Sequence, residues 1–546
     1  MPFPDFEPTL PSFLRRIASR SPEREMIVLG DERLTYREAE QRSGDLANGL
    51  ILEGVGKGTR VGILMPNGPD WLVAFLAVTR LGAVAVPLNT FLKAPELSWA
   101  VRHADINTLL TVGSFLGNEY LVRLEDAAPE LRRATSHRLY LPSLPNLRQV
   151  FCWGGPDRPW ARSGHVLEES GGSDSARTPP LLPGLEAAVT PADTMLTLYT
   201  SGSTGDPKGA LHTHGTVIRH SYNLATSRDI TSEDRVWTPM PFFWVGGLVF
   251  TLLGNLHAGA ATVCEESFDP ERTLHLFERE RVSIALGWPH FGKALADHPT
   301  RVDRDLSHLR AGNVPDILGP EVVAPDPERR PNALGMTETC GPHTWVSAPV
   351  LPEALRGSFG EPVEGVEHKI IDTTDSRILG PGELGEICVR GYSLMQGLNK
   401  LEPEQTFDTE GFYHTGDVGF FTDGGVLYFK GRLGEMIKTA GANVTPSEVE
   451  KVLLDLPAVK AAHVVGIPHP DRGQNVAAAV VPMPGSKIDG GAIKAALKPL
   501  LSAYKIPRHI SFYATGEALP FTDSGKIDKQ ALEAEIVQQI EADESG

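Results

Sequence analysis

The sequence predicts an α/β protein in which a large N-terminal domain, containing a β subdomain, precedes a small C-terminal α/β domain. Helical and strand patterns alternate up to about residue 190, which favours layered and largely parallel sheets. From Gly357 the pattern changes to short strands separated by glycine turns, as in a β subdomain. Alternating patterns resume after Gly431–Glu435, so we predict domains at residues 1–431 and 432–546. A chain of 546 residues is too long to fold around a single hydrophobic core, so we expect more than one domain.

The individual elements follow from apolar spacing and from turn residues. The predicted helices are Tyr36–Leu52, Trp71–Leu81, Gly215–Ser227, Ser447–Asp455 and Ile493–Leu501. The predicted strands are Val61–Met65, Ala83–Leu88, Met195–Tyr199, Val282–Gly287, Glu386–Arg390, Val426–Lys430, Ala461–Ile467 and Val476–Val481. Gly154–Leu185, which is rich in Gly, Pro and Ser, is expected to form a long excursion of the chain at the surface, that is, a surface loop.

Composition and charge exclude several classes of partner. The 51 basic and 69 acidic residues give a formal charge of −18, which repels nucleic-acid phosphates and anionic lipid. No apolar run reaches the length of a membrane span, and no secretory signal is visible. The four cysteines lie far apart, without a metal or disulfide spacing, so we expect a reduced, cytoplasmic setting.

A glycine- and hydroxyl-rich loop follows the predicted strand Met195–Tyr199. Glycines let successive backbone N–H groups point at one anion, while hydroxyls and a lysine add donors and positive charge. The alternative interpretation is an ordinary surface turn that binds no ligand. The predicted strand before the loop and the closing Pro-Lys-Gly favour a polyphosphate-binding loop, or cradle, instead. The residues predicted to form this cradle are Thr200, Ser201, Gly202, Ser203, Thr204, Gly205 and Lys208.

Two better-known phosphate loops are excluded by the spacing. A Walker loop ends in Gly-Lys-Ser/Thr, whereas Lys208 lies between Pro207 and Gly209. The dinucleotide fingerprint Gly-x-Gly-x-x-Gly does not fit the positions of the three glycines either.

Two further segments carry candidate ligand-binding residues. Gly335-Met336-Thr337-Glu338 places a hydroxyl beside a carboxylate at the end of a predicted strand. Next to a phosphate cradle Glu338 suits Mg²⁺, although in isolation it would be an ordinary solvated glutamate. Pro239–Leu248 is an aromatic cluster closed by two glycines, which suits either core packing or the wall of an acyl slot.

Five motifs in the same order and spacing resemble the adenylate-forming (AMP-binding) enzyme superfamily, which includes acyl-CoA synthetases. The resemblance extends from about residue 8 to residue 538. The five motifs are Tyr199–Gly209, Gly335–Glu338, His414–Asp417, Gly431-Arg432 and Pro520 with Gly525-Lys526.

The resemblance implies a mobile C-terminal domain and the cofactors ATP, Mg²⁺ and coenzyme A. It implies that residues 200–208 contact the ATP phosphates, and that Leu334, Gly335 and Met336 lie along the nucleotide. Thr337 and Glu338 are implied to contact the α-phosphate and the metal, and Asp417 and Arg432 to contact the ribose. Lys526 is implied to be the catalytic lysine. Glu435 is the implied hinge, and the thiol acceptor is implied to approach beside Gly441.

Three departures from the family pattern bear on the substrate. Trp244 replaces a histidine that many acyl-CoA synthetases carry, and it could line or gate the acyl tunnel. Ala311–Asp316 replaces a Gly-Gly-Ala segment, and Leu334 replaces the tyrosine that stacks on adenine. These changes reflect either neutral drift within one enzyme class or an unusual acid or acceptor.

The leading interpretation is a carboxylate–CoA ligase that acts through acyl-AMP on a fatty or aryl acid. A second hypothesis keeps adenylation but transfers the acyl group to a carrier protein or a nitrogen nucleophile. A third, from another class, is an inactive nucleotide- or ligand-binding homologue. The oligomeric state stays open, with a homodimer as one option.

Overall fold

The chain forms two compact units in a computed structural model. The model describes residues 4–155, 157–172, 181–200, 207–319, 322–324, 326–346, 348, 350–433, 437–521 and 527–545. The larger unit comprises Met1–Thr90, Ser98–Tyr199 and Gly209–Lys430, and the smaller comprises Phe91–Leu97, Thr200–Lys208 and Gly431–Gly546. The α/β class with layered sheets is confirmed, whereas the exact domain boundary stays a prediction.

An eight-stranded sheet supports much of the larger unit. Its central strands run parallel, as expected when helices connect consecutive strands. In sheet order its strands are Gly397–Leu398, Lys208–Thr213, Thr194–Thr200, Val84–Pro87, Arg60–Leu64, Thr108–Val112, Gln149–Trp153 and Ala161–Ser163.

A second, six-stranded sheet lies in the same unit. It is parallel except for its last pair, which is an antiparallel hairpin. In sheet order its strands are Ala311–Gly312, Ile284–Ala285, Arg235–Trp237, Ala261–Cys264, Glu25–Leu29 and Glu32–Thr35.

The helix Pro69–Arg80 forms the centre of the main core, where every residue from Trp71 to Arg80 is buried. The neighbouring helix Tyr36–Leu52 begins at the predicted residue because Thr35 and Glu38 form a capping box. The other α-helices with residues in this unit are Leu10–Arg20, Ala94–His103, Tyr120–Ala127, His165–Gly171, Leu182–Ala187, His214–Thr226, Gly254–Ala258, Pro270–Glu280 and Pro289–Asp297. A π-helix spans Gly246–Leu253.

The predicted β subdomain is a four-stranded sheet. Its strands are Val366–Ile371, Gly385–Gly391, Tyr413–Phe421 and Leu427–Arg432 in sheet order. The short two-stranded ladders of the larger unit are Ser114–Phe115 with Asn118–Glu119, Gly335–Met336 with Gly341–Pro342, and Thr344–Trp345 with Glu361–Pro362. Short 3₁₀ helices occur at Pro129–Arg133, Pro299–Asp303, Pro315–Ile317, Pro327–Arg329, Glu353–Leu355 and Pro403–Gln405.

The smaller unit contains a five-stranded sheet with its own apolar core. Its strands are Ile437–Thr439, Ala442–Val444, Val459–His469, Gly473–Pro482 and His509–Phe512, and its helices are Pro446–Leu454, Gly490–Leu497, Lys529–Ser545 and the 3₁₀ turn Gly516–Ala518. Among the described helices of either unit, none combines the length and the apolar character needed to cross a bilayer.

Three expectations about elements were wrong. Gly154–Leu185 is not a simple excursion, because its described parts contain the strand Ala161–Ser163 and two helices. The buried strand expected over Val282–Gly287 is reduced to Ile284–Ala285. The helix expected to reach Leu501 ends at Leu497.

The predicted Thr-Glu segment lies in a tight hairpin between Gly335–Met336 and Gly341–Pro342. The Thr339 side chain closes the turn, since its hydroxyl lies 2.7 Å from the Gly341 carbonyl oxygen and accepts from the Met336 N–H at 3.2 Å. A Cβ on Gly335 would lie 2.6 Å from both the Gly341 oxygen and Pro342 Cα. Close backbone approach therefore requires glycine at position 335.

Gly335→Ala is expected to destabilise this hairpin by about 1–3 kcal/mol, because backbone atoms must move to admit the methyl group. A lower thermal unfolding midpoint would show the effect. Gly424→Ala is the matched control, since the nearest atom to its added Cβ is Thr422 Oγ1 at 3.8 Å. Equal midpoints for Gly335→Ala and wild type would contradict the close-packed hairpin.

Several histidines near this hairpin are buried. His212, His220 and His368 each have a pKa lowered from 6.5 to about 4, with burial as the main cause. His220 Nδ1 lies 3.1 Å from the Tyr392 hydroxyl, and His343 Nδ1 lies 2.8 Å from His368 Nε2. These side chains are therefore neutral at pH 7 in the folded protein.

This burial predicts a loss of stability as the pH falls. Between about pH 6.5 and pH 4 the unfolded chain binds protons at these histidines that the folded chain does not, so the free energy of unfolding decreases. Each such histidine contributes a slope approaching 1.4 kcal/mol per pH unit. In His220→Gln, the slope of the free energy of unfolding against pH is expected to fall by the contribution of about one proton. Urea unfolding at pH 7.5, 6 and 5 measures this slope. The exposed His137→Gln serves as control, and an unchanged slope in His220→Gln would argue against a buried neutral ring.

Candidate active site

Glu338 is a buried carboxylate, in contrast to the solvated glutamate of the alternative interpretation. It is 7% exposed. The Tyr413 hydroxyl lies 3.4 Å from Glu338 Oε1, and the Met395 N–H donates to the Glu338 carbonyl at 2.8 Å. The turn therefore holds its acidic side chain in a fixed, partly desolvated position.

The strand Lys208–Thr213 contacts the same turn at Thr337. His212 Nε2–H donates to the Thr337 carbonyl at 2.8 Å, and the Cys340 N–H donates to the same oxygen at 2.9 Å. The acceptor is a carbonyl, so the hydrogen bond fixes the proton of the neutral imidazole on Nε2. The strand that follows the predicted phosphate loop is thus tied to the Thr-Glu turn.

Asp417 lies on the strand that also carries Tyr413. It is 4% exposed, and its backbone N–H donates to Thr415 Oγ1 at 3.0 Å. The Thr415 hydroxyl donates to the Ile387 carbonyl at 2.6 Å, which anchors this part of the strand. Through Tyr413 and Glu338, the structure brings the predicted Thr-Glu and His414–Asp417 motifs together.

Gly335 and Met336 form one strand of the hairpin, and Leu334 precedes them. The Leu334 side chain is buried in an apolar cluster with Val366, Ile370, Ile387, Val389 and Leu427. Its backbone N–H donates to Thr344 Oγ1 at 3.0 Å. Leu334 therefore helps to fix the β subdomain behind the turn, and its predicted contact with adenine stays a prediction.

Trp244 belongs to an aromatic wall. Its ring is edge-on to Phe243 at 5.1 Å and to Trp288 at 5.9 Å between centroids. Gly247 permits the tight turn beside it, because a Cβ there would lie 2.1 Å from the Pro241 carbonyl oxygen. The half-buried Trp244 indole is consistent with either packing or a ligand-facing wall.

The segment that replaces Gly-Gly-Ala supports the same wall. Asn313 follows the strand Ala311–Gly312, and its Oδ1 accepts from the Gly287 N–H at 2.7 Å. Gly287 immediately precedes Trp288. Asn313 therefore positions the backbone that presents one of the rings facing Trp244.

The remaining predicted residues belong to the smaller unit or lie outside the described residues. Thr200 ends one strand and Lys208 begins another, and Arg432 ends the strand Leu427–Arg432. Gly441 lies in the two-residue turn between Ile437–Thr439 and Ala442–Val444, where Ala440 and Gly441 have φ angles of 48° and 80°. Ser201, Gly202, Ser203, Thr204, Gly205, Glu435 and Lys526 lie outside the described residues.

The donor set around Glu338 fits Mg²⁺ bound to a nucleotide. Mg²⁺ prefers oxygen ligands and usually takes one or two protein carboxylates in addition to phosphate oxygens. Glu338 supplies a buried carboxylate, and Thr337 lies next to it. The described residues thus fit a metal–polyphosphate ligand better than a soft metal at this position.

His212, Tyr413 and Met395 contact the Thr-Glu turn but were missed by the sequence reasoning. Met395 acts through its backbone N–H, which no side-chain pattern reveals. His212 stands in an alternating strand directly after the predicted phosphate loop, and Tyr413 directly precedes His414. Proximity to recognised motifs was therefore the one available signal for these two residues.

Comparison with known proteins places this site in a family. Residues 14–398 match the AMP-binding enzyme family, and residues 448–526 match the AMP-binding enzyme C-terminal domain. Among curated proteins, a feruloyl-CoA synthase from Amycolatopsis sp is 33% identical over 94% of this chain and 96% of its own length.

Solved structures show the same similarity. An o-succinylbenzoate CoA synthetase from Bacillus subtilis, bound with a product analogue, has a TM-score of 0.76 and 26% identity, covering 96% of this chain and 98% of that one. An amide bond synthetase from Marinactinospora thermotolerans has a TM-score of 0.77 and 25% identity, covering 96% and 99%. The chain belongs to the AMP-binding enzyme family, as a ligase of the acyl-CoA synthetase type.

Proposed function

We propose that this ligase activates an apolar or aryl carboxylic acid with ATP as the acyl-adenylate and then transfers the acyl group to coenzyme A. The supporting observation is the convergence on one buried turn. The strand that follows the phosphate loop reaches Thr337 through His212, and the strand carrying Asp417 reaches Glu338 through Tyr413.

The chemistry accounts for the residue types. A carboxylate that attacks the α-phosphorus of ATP brings two anions together, so cations and directed donors must offset the charge of the transition state. In our proposal the Thr200–Lys208 loop holds the departing pyrophosphate, and Thr337 donates to the α-phosphate. Asp417 and Arg432 orient the ribose, and Lys526 stabilises the reacting centre.

Glu338 is the residue proposed to hold Mg²⁺, which when bound would neutralise charge on the phosphate oxygens. The fixed position of the carboxylate supports this role. The Met395 N–H holds the backbone of Glu338, and the Tyr413 hydroxyl lies beside its side chain. Glu338 therefore needs little reorganisation to accept a cation.

An apolar or aryl acid is proposed because aromatic rings surround Trp244. Trp288 is edge-on to Trp244, and Phe291 lies 5.6 Å from Trp288 between centroids. Such rings favour flat or apolar groups and offer few hydrogen bonds. The feruloyl-CoA synthase named above acts, by its name, on an aryl acid.

A nitrogen nucleophile is the second candidate acceptor, because one of the similar structures is an amide bond synthetase. A pyrophosphate-release screen over short, medium, long-chain and aromatic acids tests the adenylation step. Addition of CoA, an amine or hydroxylamine to the active combinations then identifies the acceptor. Trapping of the adenylate by hydroxylamine without thioester formation in the presence of CoA would overturn CoA as acceptor.

Lys526→Ala is expected to slow pyrophosphate release by at least about a hundredfold, which is typical for loss of a transition-state donor. Thioester formation from supplied acyl-AMP should be retained, because that step does not require attack on ATP. The exposed Lys498→Ala is the matched control. Undiminished pyrophosphate release by Lys526→Ala would refute the catalytic assignment.

Glu435→Pro is expected to retain adenylation and to slow thioester formation. Proline fixes φ and so restricts the rotation that we propose at this hinge. Rates of the two half-reactions measured separately provide the test, with Glu435→Gln as the control for loss of charge alone. If both half-reactions fall equally in the proline variant, residue 435 is not the hinge.

A further inference from the structure

A second group of potential metal ligands lies in the β subdomain, apart from Glu338. Glu386 and Cys388 are two residues apart on the strand Gly385–Gly391, so their side chains share one face. Cys388 pairs in register with His414 on the antiparallel strand Tyr413–Phe421. One ligand atom from each of these three side chains lies within 4.8 Å of the other two.

The local backbone brings these side chains close. The ladder shifts register between Glu386 and Cys388, opposite the segment His414–Val418. Within this bulge the Gly416 N–H donates to Glu386 Oε1 at 3.0 Å, while Glu386 Oε2 lies 3.1 Å from His414 Nδ1. The carboxylate is thus oriented toward the imidazole rather than toward solvent.

The donor set has the chemistry of a zinc-like site. Sulfur and imidazole nitrogen are preferred by Zn²⁺ and related ions, whereas Mg²⁺ and Ca²⁺ prefer oxygen. With Zn–S near 2.3 Å and Zn–N near 2.1 Å, tetrahedral ligands lie roughly 3.5 Å apart. Separations of up to 4.8 Å therefore need to contract by at most about 1.3 Å for all three atoms to bind one ion.

Asp408 supplies the outer contact that a histidine ligand usually has. A metal-bound imidazole commonly directs its second N–H at a carboxylate, which fixes the ring. His414 Nε2 lies 3.7 Å from Asp408 Oδ2, on the side of the ring away from Glu386. Asp408 is itself fixed, since its Oδ1 accepts from the Phe412 N–H and its Oδ2 accepts from Lys369 Nζ at 2.6 Å.

The charges and the burial permit binding at this point. Lys369 is the nearby cation, but Asp408 and Glu410 both pair with it at 2.6 Å, which offsets its repulsion of a metal ion. Cys388 is fully buried, and the partly exposed His414 ring gives access from solvent. Because the thiolate is the ligand, binding would release the thiol proton to solvent.

We propose that Glu386, Cys388 and His414 bind a thiophilic divalent ion such as Zn²⁺, with Asp408 orienting the imidazole. A bound ion would link the two strands across the bulge. It would thereby fix the backbone from His414 to Gly416, immediately before Asp417. The site differs from the Glu338 position in its donor atoms, and its ligands belong to the strands Gly385–Gly391 and Tyr413–Phe421 rather than to the Thr-Glu turn.

Titration of the reduced full-length protein with Co²⁺ tests this proposal without reference to ligase activity. Binding at this site should give a near-ultraviolet thiolate-to-Co²⁺ charge-transfer band together with visible bands of a low-coordinate ion. Saturation near one Co²⁺ per chain and displacement by Zn²⁺ but not by Mg²⁺ are expected. Absence of a thiolate band, or its displacement by equimolar Mg²⁺, would overturn the site.

Matched variants test which residues give rise to the thiolate-to-Co²⁺ band. Cys388→Ser should abolish it, and His414→Gln should weaken Co²⁺ binding by at least about a hundredfold, while Asp408→Asn should weaken it about tenfold or more. Cys152→Ser is the control, since Cys152 is also a free buried cysteine but lies in the eight-stranded sheet. Thermal unfolding without metal checks that each variant is folded. A band that persists in a folded Cys388→Ser protein would refute the assignment.

Discussion

The candidate site depends on the way the two carbonyls of Thr337 and Glu338 are held. His212 donates to the first from the strand after the predicted phosphate loop, and the Met395 N–H donates to the second. A two-strand hairpin as short as this one has little stability of its own. These two hydrogen bonds, together with the close contact at Gly335, convert it into a rigid support for the Glu338 carboxylate.

The same arrangement bears on how a strongly acidic protein would bind the proposed polyphosphate ligand. A formal charge of −18 provides no general attraction for ATP. Binding must therefore come from local donors and from cations at a few positions, where a low dielectric makes each of them effective. A neutral His212 suits this task, since it fixes the turn through a hydrogen bond without changing the charge of the site.

Much of the fold could be predicted because its signals are local. The helix Tyr36–Leu52 has its capping box in the sequence, and the strands Arg60–Leu64 and Gly385–Gly391 have apolar runs bounded by turn residues. Gly154–Leu185 was misjudged because a high content of Gly, Pro and Ser concealed the short strand Ala161–Ser163, which depends on pairing with Gln149–Trp153. Pairing between distant segments leaves no local pattern.

The candidate site was predictable to the extent that its residues form motifs. Thr337, Glu338 and Asp417 were predicted in this way, and the structure joins their segments through Tyr413. The hydrogen bonds from His212 and from the Met395 backbone were not predictable, because they join residues more than 50 positions apart. Leu334 shows that a position in a motif does not by itself reveal a side chain's surroundings. Its place in the motif predicts a contact with adenine, whereas its side chain packs in the apolar cluster of the β subdomain.

The two departures at Trp244 and Asn313 belong to one physical arrangement. Asn313 Oδ1 accepts from the Gly287 N–H, and the next residue is Trp288, whose ring is edge-on to Trp244. Gly312 is required beside it, because a Cβ there would lie 2.1 Å from the Ala285 carbonyl oxygen. Because a change at Asn313 alters the backbone that carries Trp288, the altered segment and the indole constrain each other. Because these positions share contacts, substitutions at Asn313, Trp288 and Trp244 are expected to have non-additive effects.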